Sequence, residues 1–166
     1  MFFALWPDER ARYALTRWVE ASYSRCGGRR MRSENLHITI AFLGMIERDR
    51  IDALARVAAK VASRKFDLVL DQPGYWKHNK IAWLGASEVP ADLVSMVDEL
   101  RGALTAGGFQ FDLKPFVPHI TLLRNARPPK EMPALDSVRW TVNGFVLLSS
   151  ERDQAGPRYR VAAGPF

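Results

Sequence analysis

Two five-residue segments of this chain, LHITI and PHITL, share the core His-Ile-Thr and constrain its fold most strongly. Successive side chains of a β-strand point to opposite faces, so residues two apart share a face. His37 and Thr39 therefore share one strand face, and the isoleucine between them points the other way. His119 and Thr121 repeat this arrangement 82 positions further on. The pattern predicts two half-buried strands that each present a histidine and a threonine.

Two histidines held on rigid strands suit acid–base chemistry at phosphorus. Imidazole titrates near neutral pH, so one ring can accept a proton from water while the other donates one to a leaving oxygen. The hydroxyls of Thr39 and Thr121 can bind phosphate oxygens, and Arg124 offers a guanidinium for the same anion. Strict alternation places Arg124 on the face of Ile120 and Leu122. It would reach the site only if the strand ends or twists there, or if its long side chain wraps round.

Other site chemistries have less support in the sequence. Neither segment has a neighbouring carboxylate or thiol, as clustered metal ligands would require, so we expect no metal and no other cofactor. The G-x-S-x-G signature of a serine nucleophile is absent. A single histidine on a strand is usually a hydrogen-bonded structural residue. The duplication of the whole motif is what favours catalysis over that structural role.

Composition fits one domain of 166 residues, with 48% hydrophobic and 25% charged side chains. The formal net charge of +6 favours an anionic partner such as a nucleic acid, a nucleotide or an acidic surface, although solubility alone could explain it. A single cysteine, Cys26, fits a reducing cytoplasm. No apolar run approaches the roughly 20 residues that a membrane span needs, so we expect no membrane partner.

The order of predicted elements favours an α+β fold. The chain lacks a glycine-rich phosphate loop after its first strand, which favours largely antiparallel sheets over a doubly wound parallel sheet. Residues 29–32 are predicted as a basic loop and residues 73–79 as an aromatic loop. Periodicity and turn signals predict strands at 1–6, 36–40, 66–72, 80–86, 109–114, 118–124, 137–150 and 158–164, and helices at 7–24, 47–63 and 90–106.

The chain resembles the 2H phosphoesterase superfamily, and most closely its RNA 2′,3′-cyclic phosphodiesterase branch, once described as 2′-5′ RNA ligases. The segments ENLHITIAFLG and FVPHITLLR carry this resemblance. An opening FFALWPD, an internal IAWLG and a closing LLSS…GPRY follow in matching order. The resemblance implies a bilobal α+β fold over residues 1–166, with two pseudo-symmetric antiparallel sheets flanked by helices and a metal-free active-site cleft between the lobes.

The resemblance also implies a reaction. The enzyme would be a hydrolase that opens a terminal 2′,3′-cyclic phosphate of RNA and leaves a 2′-phosphate. We expect it to be a monomer that acts in RNA processing in the cytoplasm. His37 would be the proton donor and His119 the proton acceptor, although the near-symmetric motifs could serve either way. Thr39, Thr121 and Arg124 would bind phosphate. A separate set of aromatic residues could stack bases or line the RNA path, namely Phe3, Tyr75 and Trp76.

Two alternatives remain open from the sequence. The same site could hydrolyse 2′-5′ phosphodiesters or join RNA ends. The chain could also be a non-catalytic RNA-binding module, since its basic charge and aromatic side chains would serve binding equally well. Two complete His-x-Thr motifs argue against the second alternative, because binding alone does not need two titrating imidazoles.

Overall fold

The two predicted His-x-Thr segments lie side by side at the centre of one antiparallel sheet. In the computed structural model, which describes residues 1–153 and 156–166, this sheet has eight strands, and a separate pair of strands forms a second sheet. The elements run β1 (Phe2–Leu5), α1 (Glu9–Cys26), β2 (Arg29–Arg30), β3 (Ile38–Phe42), α2 (Ile51–Ala58), β4 (Phe66–Leu70), β5 (Gln72–Trp76), β6 (Ile81–Gly85), α3 (Ala91–Ala106), β7 (His119–Arg124), β8 (Val138–Val142), β9 (Val146–Asp153) and β10 (Gly156–Ala163).

The eight-stranded sheet consists of two sets of four strands joined at a single residue pair. The strand order is β10-β9-β1-β3-β7-β6-β5, with β2 also paired to β7. Strands β3 and β7 pair only through Ile38 and Ile120. We call β1, β3, β9 and β10 the first lobe, and β2, β5, β6 and β7 the second lobe. The predicted α+β fold with antiparallel sheets is therefore confirmed.

Helices cover the apolar face of each motif strand. The Asp8 side chain caps α1 by accepting a hydrogen bond from the Ala11 N–H at 2.7 Å, as a residue before the first turn often does. Helix α1 packs against β7, and α3 packs against β3. Ile38 and Ile120 point into this core and are fully buried. The burial of these isoleucines fixes the opposite face of each motif strand toward the space between the lobes.

Each motif strand carries a β-bulge at the same place after its threonine. Thr39 and Ala41 pair with consecutive residues of β1, so Ile40 is the extra residue of β3. In the same way, Leu122 is the extra residue of β7 where it pairs with β6. An extra residue reverses the alternation of faces. The residue five places after each histidine therefore returns to the histidine's face.

Two of the predicted strands are wrong. Residues 109–114 have no regular structure: Phe109 is buried in the core, and the Asp112 N–H makes one backbone bond to Phe42 at 2.9 Å. Residues 137–150 form two strands in different sheets, β8 and β9, instead of one. Gly144 separates them with a φ of +134°, a conformation open to glycine, and an added Cβ would meet the Phe166 carbonyl at 2.3 Å.

Two predicted loops contain strands. Most of the aromatic loop at 73–79 belongs to β5, where Pro73 is tolerated because β5 is an edge strand of the sheet. The basic loop at 29–32 includes β2, which pairs with the end of β7. The helix predicted at 47–63 is shorter: a 3₁₀ turn at Arg48–Arg50 precedes α2, and tight turns follow it from Ala59.

Candidate active site

The cleft between the lobes has a volume of about 370 Å³ and contains all five residues that the sequence assigns to catalysis and phosphate binding. Extending the Ile38–Ile120 register by one residue in each direction sets each histidine opposite the threonine of the other motif. The wall of the cleft consists of His37, Thr39, His119, Thr121 and Arg124, together with Met31, Asn35, Trp76, Asn79, Ile81, Asp112 and Lys114.

Each catalytic candidate is oriented by a backbone carbonyl two residues before it. The Nδ1 atom of His37 lies 2.6 Å from the Asn35 carbonyl oxygen, and that of His119 lies 2.7 Å from the Val117 carbonyl oxygen. A carbonyl oxygen can only accept, so Nδ1 carries the proton in both rings. In the neutral rings the Nε2 atoms are therefore unprotonated and available for proton transfer.

The Thr39 hydroxyl lies within the same motif as His37 and bonds to it. Its Oγ1 is 3.1 Å from Nε2 of His37. Because Nδ1 holds the ring proton, the hydroxyl is the donor in this bond. An anion that enters the cleft can take that hydroxyl hydrogen bond and leave Nε2 of His37 free to react.

Both histidines are less basic than an exposed imidazole. Burial lowers the pKa of His37 from 6.5 to about 4, and the positive charges of His119 and Arg124 add to this effect. The Asn35 carbonyl acts in the opposite direction without reversing the shift. Burial and Arg124 also lower the pKa of His119. Before an anion binds, the cleft therefore favours two neutral rings at pH 7.

Arg124 reaches the cleft because of the bulge at Leu122. The bulge places Arg124 on the face of His119 and Thr121 rather than on the buried face of Ile120. The Arg124 side chain therefore does not have to wrap round the strand to reach the cleft, as it would if the side chains of β7 alternated strictly. Arg124 lines the same cleft as both imidazoles, and its positive charge lowers the pKa of each.

Asn35 is a buried site residue that the sequence did not reveal. Only 2% of Asn35 is exposed, and its side chain binds the backbone of β10 twice. The amide donates to the Pro157 carbonyl at 2.6 Å and accepts from the Tyr159 N–H at 3.1 Å. Asn35 therefore connects His37 to a strand more than 120 positions away, and no local pattern predicts such a contact.

Aromatic rings surround both imidazoles. The rings of Phe2 and Tyr159 lie 4.8 and 5.1 Å from that of His37, centroid to centroid. The Trp76 ring meets the His119 ring edge-on at 4.5 Å. These rings exclude water from the imidazoles, which explains why burial dominates their pKa shifts.

The structure places the three predicted aromatic residues differently, and the prediction for Phe3 is wrong. Phe3 is fully buried and packs against Phe145, so it cannot stack a base. Its neighbour Phe2 is the residue of β1 whose ring packs on His37. Tyr75 packs against the core, and its hydroxyl donates to the Ala126 carbonyl at 2.9 Å. Trp76 follows Tyr75 on the opposite face of β5 and does line the cleft.

The residues described here contain no group of three or more His, Cys, Asp or Glu side chains placed to hold a metal ion. Within the same residues, no helix is both long and apolar enough to cross a membrane.

The family profile of the 2′-5′ RNA ligase superfamily matches residues 6–154. The chain belongs to this superfamily. Among curated members, the RNA 2′,3′-cyclic phosphodiesterase of Escherichia coli (strain K12) is 33% identical over 162 residues, which cover 96% of this chain and 91% of that protein. The protein of the same name from Thermotoga maritima is 28% identical, with the same shares covered. The resemblance stated from the sequence is therefore confirmed.

Two solved structures share the fold over nearly the whole chain. E. coli LigT complexed with 3′-AMP superposes with a TM-score of 0.88 at 30% identity, covering 98% of this chain and 94% of LigT. The protein TT0787 of Thermus thermophilus gives a TM-score of 0.82 at 26% identity, with the same coverage. The superfamily fold therefore includes both lobes of this chain.

Proposed function

We propose that this protein hydrolyses the 2′,3′-cyclic phosphate at the 3′ end of an RNA and leaves a 2′-phosphate. The observation that carries the proposal is the meeting of two His-x-Thr motifs in one cleft, each with Nε2 available for proton transfer. Curated relatives at 28–33% identity bear the name RNA 2′,3′-cyclic phosphodiesterase. The 3′-AMP complex of LigT adds that a nucleotide monophosphate binds this fold.

The reaction needs one proton to be accepted and one to be donated. Nε2 of His119 accepts a proton from water as the water oxygen bonds to phosphorus. The bond from phosphorus to O3′ breaks, and Nε2–H of His37 donates its proton to O3′. Exchange with solvent returns both rings to their starting states. The sum of these steps is the addition of one water molecule across the P–O3′ bond.

The phosphate group brings negative charge to a site whose arginine is positively charged. Burial, and to a lesser extent the charge of Arg124, lowers the pKa of both histidines, so protonation of His37 is unfavourable before substrate binds. A bound phosphate anion offsets that charge and raises the pKa of a neighbouring imidazole. Thr39, Thr121 and Arg124 are the groups that we propose hold the anion and stabilise its developing charge. Substrate binding therefore promotes protonation of His37, the proposed acid.

We further propose that the protein takes part in RNA processing in the cytoplasm and acts as a monomer. Its chain forms a single bilobal domain, in which the two His-x-Thr motifs belong to related halves. Its only cysteine, Cys26, is a buried free thiol, which supports a reducing compartment.

A substrate panel tests the reaction. The purified protein is assayed on 2′,3′-cyclic, 3′,5′-cyclic and 2′-5′-linked substrates, and the position of the product phosphate is determined. We expect turnover of the 2′,3′-cyclic end to a 2′-phosphate. Preferred cleavage or joining of 2′-5′ linkages would favour the related activity, and binding without turnover would favour an RNA-binding module. The variants His37→Ala and His119→Ala should each lose about 10²- to 10⁴-fold in rate while remaining folded. Near-normal turnover by either would refute the paired-histidine mechanism.

A sulfur substitution tests which histidine is the acid. A cyclic substrate with sulfur in place of O3′ has a thiolate leaving group, which departs with little help from a proton donor. We expect this substrate to restore much of the activity of His37→Ala and little of that of His119→Ala. The reverse result would exchange the two roles and leave the site assignment intact.

A further inference from the structure

Arg29 lies beside the proposed phosphate ligand Arg124, on the neighbouring strand. Strand β2 pairs with the end of β7, and Arg29 is the partner of Arg124 in that pairing. Paired residues of neighbouring strands project on the same side of a sheet. The bulge at Leu122 places Arg124 on the face of His119, so Arg29 also projects on the catalytic side.

Two residues that follow Arg29 support this orientation. The guanidinium carbon of Arg30 lies 3.4 Å from the centroid of the Tyr23 ring, and Arg30 pairs with Glu20 at 2.9 Å. Both partners belong to α1, which packs against the opposite face of β7. Met31, two residues after Arg29, lines the cleft. Arg29 and Arg30 therefore point to opposite faces, and Arg29 points to the cleft side.

The side chain of Arg29 extends from the second lobe to the first. A Cβ added to Gly156 of β10 would lie 3.1 Å from a guanidinium nitrogen of Arg29. The next residue of β10, Pro157, accepts a hydrogen bond from Asn35, which lines the cleft. The Arg29 guanidinium therefore lies between β2 and β10, at the end of the cleft that Asn35 and Arg124 form.

Two adjacent guanidinium groups at this end leave positive charge that the protein does not neutralise. Among the residues that the structure describes, neither Arg29 nor Arg124 forms an ion pair with a carboxylate. Like charges opposite each other on paired strands repel, so this arrangement costs stability unless an anion binds. By contrast, Lys114, which also lines the cleft, is paired with Asp112 at 3.0 Å. The end at Arg29 is therefore the place where a second anion is attracted most.

We propose that Arg29 binds the phosphodiester that joins the terminal nucleotide of the substrate to the nucleotide before it. The inference rests on the proposed function, which places the cyclic phosphate at Arg124. The Cα atoms of paired strand residues lie about 4.5–5.5 Å apart, and two long arginine side chains can hold phosphates that are further apart than that. A guanidinium suits the contact because its planar N–H groups match the geometry of phosphate oxygens.

The proposed contact selects the end of an RNA chain over a free cyclic nucleotide. A 2′,3′-cyclic mononucleotide has no preceding phosphodiester, so it cannot use Arg29. Contacts to the phosphate backbone carry no information about the bases. Arg29 would therefore favour polymeric substrates without favouring any terminal sequence.

An uncharged linkage tests this contact. Three substrates with a terminal 2′,3′-cyclic phosphate are compared, namely a dinucleotide with its normal phosphodiester, the same dinucleotide with a methylphosphonate linkage, and a mononucleotide. The methylphosphonate nearly preserves the shape of the linkage but removes its charge. The enzymes are wild type, Arg29→Gln and Arg30→Gln. Arg30 is the matched control, because Arg30→Gln removes the same charge from the opposite face of the same strand. Circular dichroism checks that each variant is folded.

We expect Arg29→Gln to lower kcat/KM about tenfold on the phosphodiester dinucleotide and less than about twofold on the other two substrates. Wild type should prefer the charged dinucleotide to the uncharged one, and Arg30→Gln should resemble wild type. Equal losses on all three substrates would assign Arg29 to the cyclic phosphate or to the fold and would overturn the proposal. A loss of the same size in Arg30→Gln would also overturn it, since net charge alone would then be sufficient.

Failure of the proposed function gives a different result, because wild type would then hydrolyse none of the three substrates. In that event calorimetry measures the affinities for the two dinucleotides, each prepared with a terminal 2′-phosphate. The proposal is supported if Arg29→Gln weakens binding of the phosphodiester form alone. It is refuted if the affinities for both dinucleotides fall equally or if neither changes.

Discussion

The Asn35 carbonyl accepts the Nδ1 proton of His37 at 2.6 Å, while the Asn35 side chain is bonded to the backbone of β10. One residue thus fixes both the tautomer of His37 and the position of the strand that covers it. The Tyr159 ring of the same strand packs edge-on against the imidazole. The orientation of His37 therefore depends on the hydrogen bonds between Asn35 and β10, which are far apart in the sequence.

Replacement of Asn35 by alanine should therefore affect both stability and catalysis. The Pro157 carbonyl and the Tyr159 N–H lose their partners, and each unsatisfied group costs about 1–3 kcal/mol. We expect the free energy of unfolding, measured by urea denaturation, to fall by about 2–4 kcal/mol. The exposed Asn143 provides the control, and Asn143→Ala should change the free energy of unfolding by less than about 0.5 kcal/mol. In folded Asn35→Ala, kcat should fall more than KM rises, and an unchanged kcat would argue against a positioning role.

Arg124→Gln should weaken phosphate binding and shift the pH profile. We expect kcat/KM to fall about 100-fold, since a charge-assisted contact to the anion is lost. Arg124 lowers the pKa of both histidines, so its removal raises both. The base must be neutral in the free enzyme, so the acidic limb of the kcat/KM profile should move to higher pH.

Imidazole NMR titration checks the pKa change in Arg124→Gln independently of turnover. Arg127→Gln is the matched variant, because Arg127 is exposed and lies outside the cleft lining. Histidine titrations that do not move in Arg124→Gln would contradict the electrostatic role of the guanidinium.

The depressed pKa of His37 should make the fold sensitive to mild acid. The unfolded chain binds a proton at this residue near pH 6.5, whereas the folded chain does so only near pH 4. Stability is therefore lost as the pH falls from about 6.5 to about 4, and the loss is complete below that range. Its size is on the order of 3 kcal/mol.

The measurement compares wild type with His37→Asn, which keeps an N–H donor near the position of Nδ1 but does not titrate. The difference between their free energies of unfolding should change by on the order of 3 kcal/mol between about pH 7 and pH 4, because the other titrating groups are common to both proteins. A difference that stays constant over this range would show that His37 is ordinarily basic in the folded protein.

EDTA should leave the rate unchanged. The proposed proton transfers use only imidazole nitrogens, and the groups that we propose hold the phosphate are hydroxyls and a guanidinium. Turnover is measured after dialysis against EDTA and again after addition of Mg²⁺, Mn²⁺ or Zn²⁺. Loss of activity that a divalent ion restores would require a metal site and a different account of catalysis.

Sequence reasoning located the centre of the site because two independent regularities coincide there. Strand periodicity places His37 with Thr39 on one strand face. The same motif recurs at His119 and Thr121, which indicates a second strand face with the same pair of side chains. Neither regularity depends on distant parts of the chain. The same holds for α3, whose observed bounds lie within one residue of those predicted.

What sequence reasoning missed depends on pairing between distant segments. The bulge that directs Arg124 into the cleft exists because β7 pairs out of step with β6, and alternation within β7 alone predicts the wrong face. Phe2 and Phe3 are identical side chains on opposite faces of β1, so composition could not select the one that packs on His37. Asn35 acquires its role only from β10, beyond the reach of any local pattern.

The single Ile38–Ile120 pair is the one place where strand pairing crosses between the lobes, directly behind the two imidazoles. The other strand pairs of the described residues lie within one lobe or in the separate sheet. Both isoleucines are fully buried, so we expect a change of side-chain volume at either position to alter the distance between His37 and His119 without touching a polar residue of the cleft.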